Sequence, residues 1–304
     1  MTSSAKDAFQ PEGRAPALKS ILCPVDFSEF SSKAFDYAQS LAAHYRAALF
    51  VQHVLYTYPA FYTDDAYRES CHKLQADTLQ KLKQFIRGQT RTKIEPQCVV
   101  REGEATDQIL TFAEAQGTDL IVMGAYGLRG VDRLLLGSVT ERVLRKAKCP
   151  VLAVRKPVHD FVSPREKGDP VSLKRIVLGM DFSDHAHHAL NYAVSLAREY
   201  NAELTLLHVL ERHVEPGDLQ SATTEASREL EQSMPAGAHK PSLVKFSTRR
   251  GKPFQQIIEF AKDAQSDLVI MGVRGRGCLD SALFGSTAYR VIQLGPCPVL
   301  AVHI

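Results

Sequence analysis

The chain has 304 residues, 44% hydrophobic and 23% charged, enough for two domains of about 150 residues that each close a core. Its 37 Lys and Arg against 34 Asp and Glu leave a net charge of +3, so charge alone points neither to nucleic acid nor to an anionic membrane surface. No apolar run approaches the roughly 18 residues of a membrane-spanning helix, no secretory signal is evident, and six Cys without CxxC or Cys/His zinc spacing read as reduced thiols, which together predict a cytoplasmic protein.

Residues 1–17 read as a disordered tail. Beyond them, short β-rich apolar runs alternate with amphipathic stretches, predicting strands at 20–25, 48–54, 95–100, 119–123 and 150–154 joined by helices. The helix before the fourth strand aligns Ile109, Leu110, Phe112 and Ala113 on one face. Residues 157–171, with Pro157, Pro164 and Pro170 and no apolar period, read as a linker.

After the linker the pattern starts again. DLIVMG (119–124) returns as DLVIMG (267–272) and CPVLAV (149–154) returns unchanged at 297–302, both 148 positions on. ILCPVDFS (21–28) returns as IVLGMDFS (176–183), His53-Val54 as His208-Val209, and the helical face as Ile257, Ile258, Phe260 and Ala261. A repeat this long is a duplicated domain rather than a solenoid unit, giving domains at 18–156 and 172–304. Runs such as LIVM and VLAV, apolar at every position, suit strands covered on both faces. The expected fold is therefore α/β, two tandem doubly wound domains, each a five-stranded parallel sheet flanked by helices. Ligands of such sheets bind beyond the strand C-termini where strand order reverses.

The residues after the fourth strand carry the functional signal. Gly124 and Gly127 are followed, after nine intervening residues, by Gly137-Ser138, and Gly272 and Gly275 by Gly285-Ser286 at the same spacing. Glycines here allow positive φ and close approach of a phosphate, and the Gly-Ser pair opens a helix whose free N–H groups face an anion. Turn punctuation is the alternative; recurrence of the spacing in register favours the phosphate. Asp26 and Asp181, each ending a first strand, can accept from ribose hydroxyls or support the following helix cap with Ser28 and Ser183, and both readings stay open.

These motifs, with the PVDFS opening, the HV strand and the CPVLAV close, resemble the universal stress protein family in tandem form, over nearly all of both halves. The full glycine signature in that family implies ATP binding, with Mg2+ accompanying the nucleotide. Carried over, phosphate contacts fall on Gly124, Gly127, Gly137, Ser138, Val139 and Thr140, and on Gly272, Gly275, Gly285, Ser286, Thr287 and Ala288. Adenine and ribose contacts fall on Pro24, Val25, Asp26 and Met123, and on Gly179, Met180, Asp181 and Met271. Gly179 in place of Pro24 and Ala288 in place of Thr140 make the first site the tighter expectation. The family resemblance also implies edge-to-edge pairing of last strands, here within one chain, with the two sites on separate outer edges; whether chains pair further stays open.

There is no GxxxxGK[ST] loop, nucleophile elbow, kinase signature or HExxH. The reading is a nucleotide-binding regulatory protein with no assigned catalytic residue and at most slow ATP hydrolysis or autophosphorylation. The alternative is a partner-binding stress module with vestigial sites, its protein partner unknown. The aromatic stretch holding Tyr56, Tyr58, Phe61, Tyr62 and Tyr67 is either a lid, a partner contact or a loop packed on its own helix. Arg129, Arg133, Arg274 and Arg276 are candidate phosphate partners or solvated loop residues. Cys278 in the second loop is a thiol of inert or redox-sensing type, Cys149 and Cys297 read as small buried residues, and His185, His187 and His188 read as exposed helix-start residues rather than metal ligands.

Overall fold

A computed structural model describes residues 18–56, 65–127, 135–158, 160–163, 169–211, 219–235, 243–275 and 284–304, with backbone alone for 65–70 and 219. The first half runs β1 (Ser20–Pro24), α1 (Glu29–Tyr45), β2 (Ala48–Leu55), α2 (Asp65–Gln89), β3 (Gln97–Glu102), α3 (Ala105–Ala115), β4 (Leu120–Gly124), α4 (Ser138–Lys146) and β5 (Val151–Val154). The second runs β6 (Arg175–Gly179), α5 (Asp184–Tyr200), β7 (Glu203–Leu210), α6 (Leu219–Gln232), β8 (Val244–Arg250), α7 (Pro253–Asp263), β9 (Leu268–Gly272), α8 (Ser286–Leu294) and β10 (Val299–Val302).

The ten strands form one sheet in the order β3-β2-β1-β4-β5-β10-β9-β6-β7-β8. Within each half every pairing is parallel, and the halves meet where β5 and β10 pair antiparallel, Leu152 opposite Leu300. The last strands thus pair within the chain, and each covers the edge the other exposes. Because the junction is antiparallel, the strand C-termini of the two halves lie at opposite ends of the sheet. β4 and β5 are buried at every residue, as helices on both faces require. One apolar core on each face runs through both halves: Phe35 and Leu190 lie on the α1 and α5 side, Val143 and Val291 on the α4 and α8 side.

Two expectations need correction. The third strand begins at Gln97, two residues later than predicted, and pairs from Phe50 opposite Gln97 onward; Pro96 has no N–H to give the ladder. The linker is built into the fold. Phe161, Val162, Val171 and Leu173 are buried in the α1–α5 core, and Val162 bridges Val171. Its acidic residues tie it to the first half: Asp160 pairs with Lys33 and accepts from Tyr37 Oη at 2.8 Å. His44 lies between Asp169 (Nδ1, 2.8 Å) and Glu199 (Nε2, 3.0 Å). Glu199 accepts a hydrogen bond from His44, and with the Asp169 carboxylate this raises the imidazole pKa despite the opposing effect of burial. Among the described residues no helix is long and apolar enough to cross a membrane.

Candidate functional site

The turn after β1 is fixed from several sides. Val25 N–H donates to the Gln52 carbonyl at 2.8 Å, and His53 Nδ1 lies 2.7 Å from the Val25 carbonyl. A carbonyl only accepts, so Nδ1 carries the proton. Burial, reinforced by the Lys81 charge, lowers the His53 pKa against the pull of that carbonyl. The second half repeats the tether with His208 Nδ1 2.8 Å from the Met180 carbonyl. This is the physical content of the repeated HV pair. Phe27 and Phe182 then take left-handed φ of 65° and 59°, stack beside His53 and His208, and turn the chain into α1 and α5.

Asp26 serves that turn. Its Oδ1 accepts from Ser28 N–H at 3.0 Å, and Ser28 caps α1 by accepting from Ser31 N–H. Ser183 N–H likewise donates to Asp181 Oδ1 at 3.1 Å, with Ser183 Oγ 2.6 Å away. The capping alternative is therefore present in both halves. The second carboxylate oxygen stays beside the glycine loop: a Cβ placed on Gly127 would stand 3.1 Å from Asp26 Oδ2.

The signature glycines work through space rather than through φ. Positive φ among described glycines occurs at Gly103, Gly117 and Gly251 and at none of the six signature positions, which corrects the positive-φ expectation. A Cβ on Gly124 would come within 2.9 Å of the Phe30 carbonyl carbon, and one on Gly272 within 2.7 Å of the equivalent atom of His185. Gly124 and Gly272 thus let α1 and α5 lie against a strand end. Gly137 N–H donates to the Ala125 carbonyl and Gly285 N–H to the Val273 carbonyl, both at 2.9 Å. Gly137 and Gly285 are the N-caps of α4 and α8, and no side chain caps either helix. The first-turn N–H groups, those of Ser138, Val139 and Thr140 in α4, keep the electropositive end of the helix available to an anion. Thr140 also serves the fold: its Oγ1 donates to the Gly124 carbonyl at 2.8 Å, so its hydroxyl locks the loop to the helix.

These segments enclose a cavity of about 490 Å³ at the C-terminal ends of β1 and β4, within the range of small-molecule sites. Pro24, Val25, Asp26, Met123, Gly124, Gly127, Gly137, Ser138, Val139 and Thr140 all line it. Ile109, Val54 and Tyr126 supply apolar wall. Gln52 also lines it and was not singled out in the sequence. It is fully buried, its Nε2 donates to the Gln108 carbonyl at 3.1 Å, and its Oε1 has no hydrogen-bond partner. The signal was a lone amide in the apolar strand ALFVQHVL, where the second half has Leu207.

Gly179, Met180, Asp181, Met271, Gly272, Gly275, Gly285, Ser286, Thr287 and Ala288 occupy the same places at the ends of β6 and β9 and the start of α8. At Gly179 the room of the Pro24 ring is taken by Ile257, whose Cδ1 would lie 3.3 Å from an added Cβ, and by Met271. Arg129, Arg133, Arg276, Cys278 and the aromatic residues of 57–64 lie outside the described residues, as does the side chain of Tyr67. His187 Nδ1 sits 3.0 Å from the Ser183 carbonyl and His188 packs against Tyr192. Cys297 is buried, whereas Cys149 is only partly so, although each stands in the turn before the last strand of its half.

Residues 17–155 and 172–303 each match the universal stress protein family. The chain belongs to that family. A universal stress protein of Mycolicibacterium smegmatis is 27% identical over 302 residues, covering 93% of this chain and 96% of that relative. One from Methanocaldococcus jannaschii is 33% identical over 141 residues, 46% of this chain and 83% of the relative, the length of a single half. The crystal structure of a universal stress protein from Archaeoglobus fulgidus superposes with a TM-score of 0.66 at 24% identity, covering 93% of this chain and 97% of that one, and so supports the fold of this tandem universal stress protein over both halves.

Proposed function

We propose that this tandem universal stress protein is a nucleotide-responsive regulator of stress resistance that binds ATP with Mg2+, foremost in the first half. The observation that carries the reading is the convergence of four separate chain segments on one cavity with an uncapped helix N-terminus in its wall. The chemistry of the lining suits each part of the ligand. The α4 N–H groups and the open backbone at Gly127 suit phosphates; Asp26 Oδ2 suits ribose hydroxyls; Pro24, Val54, Ile109 and Met123 offer the apolar surface a base requires. The residues bind and orient a nucleotide, and none is assigned a bond-breaking role.

Calorimetric titration of the full chain with Mg-ATP, after extraction to detect copurified adenine nucleotide, tests the proposal. Saturable binding with at least one ATP per chain is the expected result. Absence of heat and of copurified nucleotide at millimolar ATP overturns it and leaves the partner-binding alternative. Regulatory use also predicts turnover below about 1 s⁻¹, the low end of ordinary enzyme rates.

A further inference from the structure

Helix α8 joins the two candidate sites. Its N-terminus, Gly285-Ser286, belongs to the second site, and its C-terminus reaches the first. The last carbonyls of a helix have no partner within it. Here the carbonyl of Gln293, in the last turn of α8, and that of Gly295, the residue that follows the helix, are satisfied from the other half of the chain. Tyr126 Oη donates to the Gln293 carbonyl at 2.5 Å, and Arg155 Nη1 donates to the Gly295 carbonyl. Tyr126 belongs to the first glycine loop, between Ala125 and Gly127, and is a wall residue of the first cavity. It is 4% exposed and held by Phe30, ring centroids 5.1 Å apart, with the Arg155 guanidinium 5.9 Å from its ring.

The arrangement is reciprocal. His303 follows β10 as Arg155 follows β5, and its Nε2 lies 2.7 Å from the carbonyl of Leu144 in the last turn of α4. Each half therefore caps the far end of the other half's signature helix. The donors differ: a tyrosine on the first cavity wall reaches α8, whereas a buried histidine from the last strand reaches α4.

We propose that Tyr126 is a positioning residue through which occupancy of the first site sets the conformation of α8 and hence of the second site. The inference rests on the nucleotide reading of the first cavity. An anion held by the α4 N–H groups restrains the 124–127 turn, because Gly137 N–H and Thr140 Oγ1 already bond the carbonyls of Ala125 and Gly124. That restraint favours the state in which the Tyr126 hydroxyl holds the last turn of α8. The helix has nine residues and spans only about 13 Å, so ordering one end orders the other. A ligand shifts such an equilibrium only by its preference for the held state.

Hydrogen exchange of the full-length protein, with and without saturating Mg-ATP and with occupancy measured by calorimetry on the same samples, tests the coupling. Exchange at the amides of 291–295 is expected to slow at least about fivefold, the lower end of ordinary couplings, in the wild type. At equal occupancy the slowing is expected to vanish in Tyr126→Phe, which keeps the ring and loses the hydroxyl, and to persist in part in Arg155→Met. ATP binding without slowing overturns the coupling and leaves the nucleotide reading intact. Full slowing in Tyr126→Phe also overturns it, since ATP then acts on α8 from the second site directly. Absence of ATP binding overturns both readings together.

Discussion

The two halves hold the same signature at the same spacing, yet the second is drawn tighter around each of its three signature glycines. A Cβ on Gly275 would stand 2.5 Å from Asp181 Oδ2, against 3.1 Å between Gly127 and Asp26. The approach of helix to strand end is 2.7 Å at Gly272 and 2.9 Å at Gly124; that of the N-cap glycine to the preceding carbonyl is 3.1 Å at Gly285 and 3.4 Å at Gly137. Ile257 and Met271 crowd Gly179 where Pro24 lines a cavity, and Leu207 replaces Gln52. A glycine signature reports the shape of a backbone, while the room left for a ligand depends on neighbours that the signature does not contain.

Alanine at the strand-end glycines is the most severe test of the comparison. Gly272→Ala is expected to destabilise the protein by about 2 to 3 kcal/mol, the upper range for overpacking against backbone that cannot yield, and Gly124→Ala by less. Denaturant midpoints of the two variants check this, and equal losses break the claim that the second half is the tighter. A smaller effect is expected where the halves differ by one hydroxyl. Thr140→Ala leaves the Gly124 carbonyl without its donor, costing about 1 to 2 kcal/mol and weakening ATP binding, as read by urea melts and by titration. Unchanged affinity would show that the lock between loop and helix is irrelevant to the ligand.

The smallest expected effect belongs to neither site. The folded-state pKa of His44 is raised by Glu199 and Asp169 above its ordinary value near 6.5. Its contribution is therefore complete below about pH 6.5 and is lost as pH rises through the raised value. His44 is partly exposed, so the effect stays under about 1 kcal/mol. The melting-temperature difference between wild type and His44→Gln is expected to shrink from mildly acidic to mildly alkaline pH, with ATP affinity of both sites unmoved; a difference that grows with pH contradicts the sign.

Much of this was legible in the sequence. The repeats, the fully apolar strands and the spacing of Gly124, Gly127 and Gly137 predicted a doubly wound tandem, and the family resemblance implied ten first-half residues, all of which line one cavity. What escaped had physical reasons. Pro96 looked like part of an apolar run, but its missing N–H moved the start of β3. Phe161 and Val162 have no periodic neighbours, so nothing local marked them as core. The contacts of His44 with Asp169 and Glu199, and of Tyr126 with Gln293, join residues more than 120 positions apart, which no local pattern encodes. The φ argument failed because Gly124 answers to the backbone of α1 rather than to its own torsions. Gln52 was visible as a polar residue among apolar ones, but its burial and its unpaired Oε1 required the fold.

Counting ATP per chain by calorimetry in the wild type, Gly127→Val and Gly275→Val tests the difference between the halves most directly. A valine on Gly127 fills the space beside Asp26 and should abolish the tight binding phase, whereas Gly275→Val should retain it. Tight binding that survives Gly127→Val and disappears in Gly275→Val would contradict the account, placing the working site in the half with less room for it.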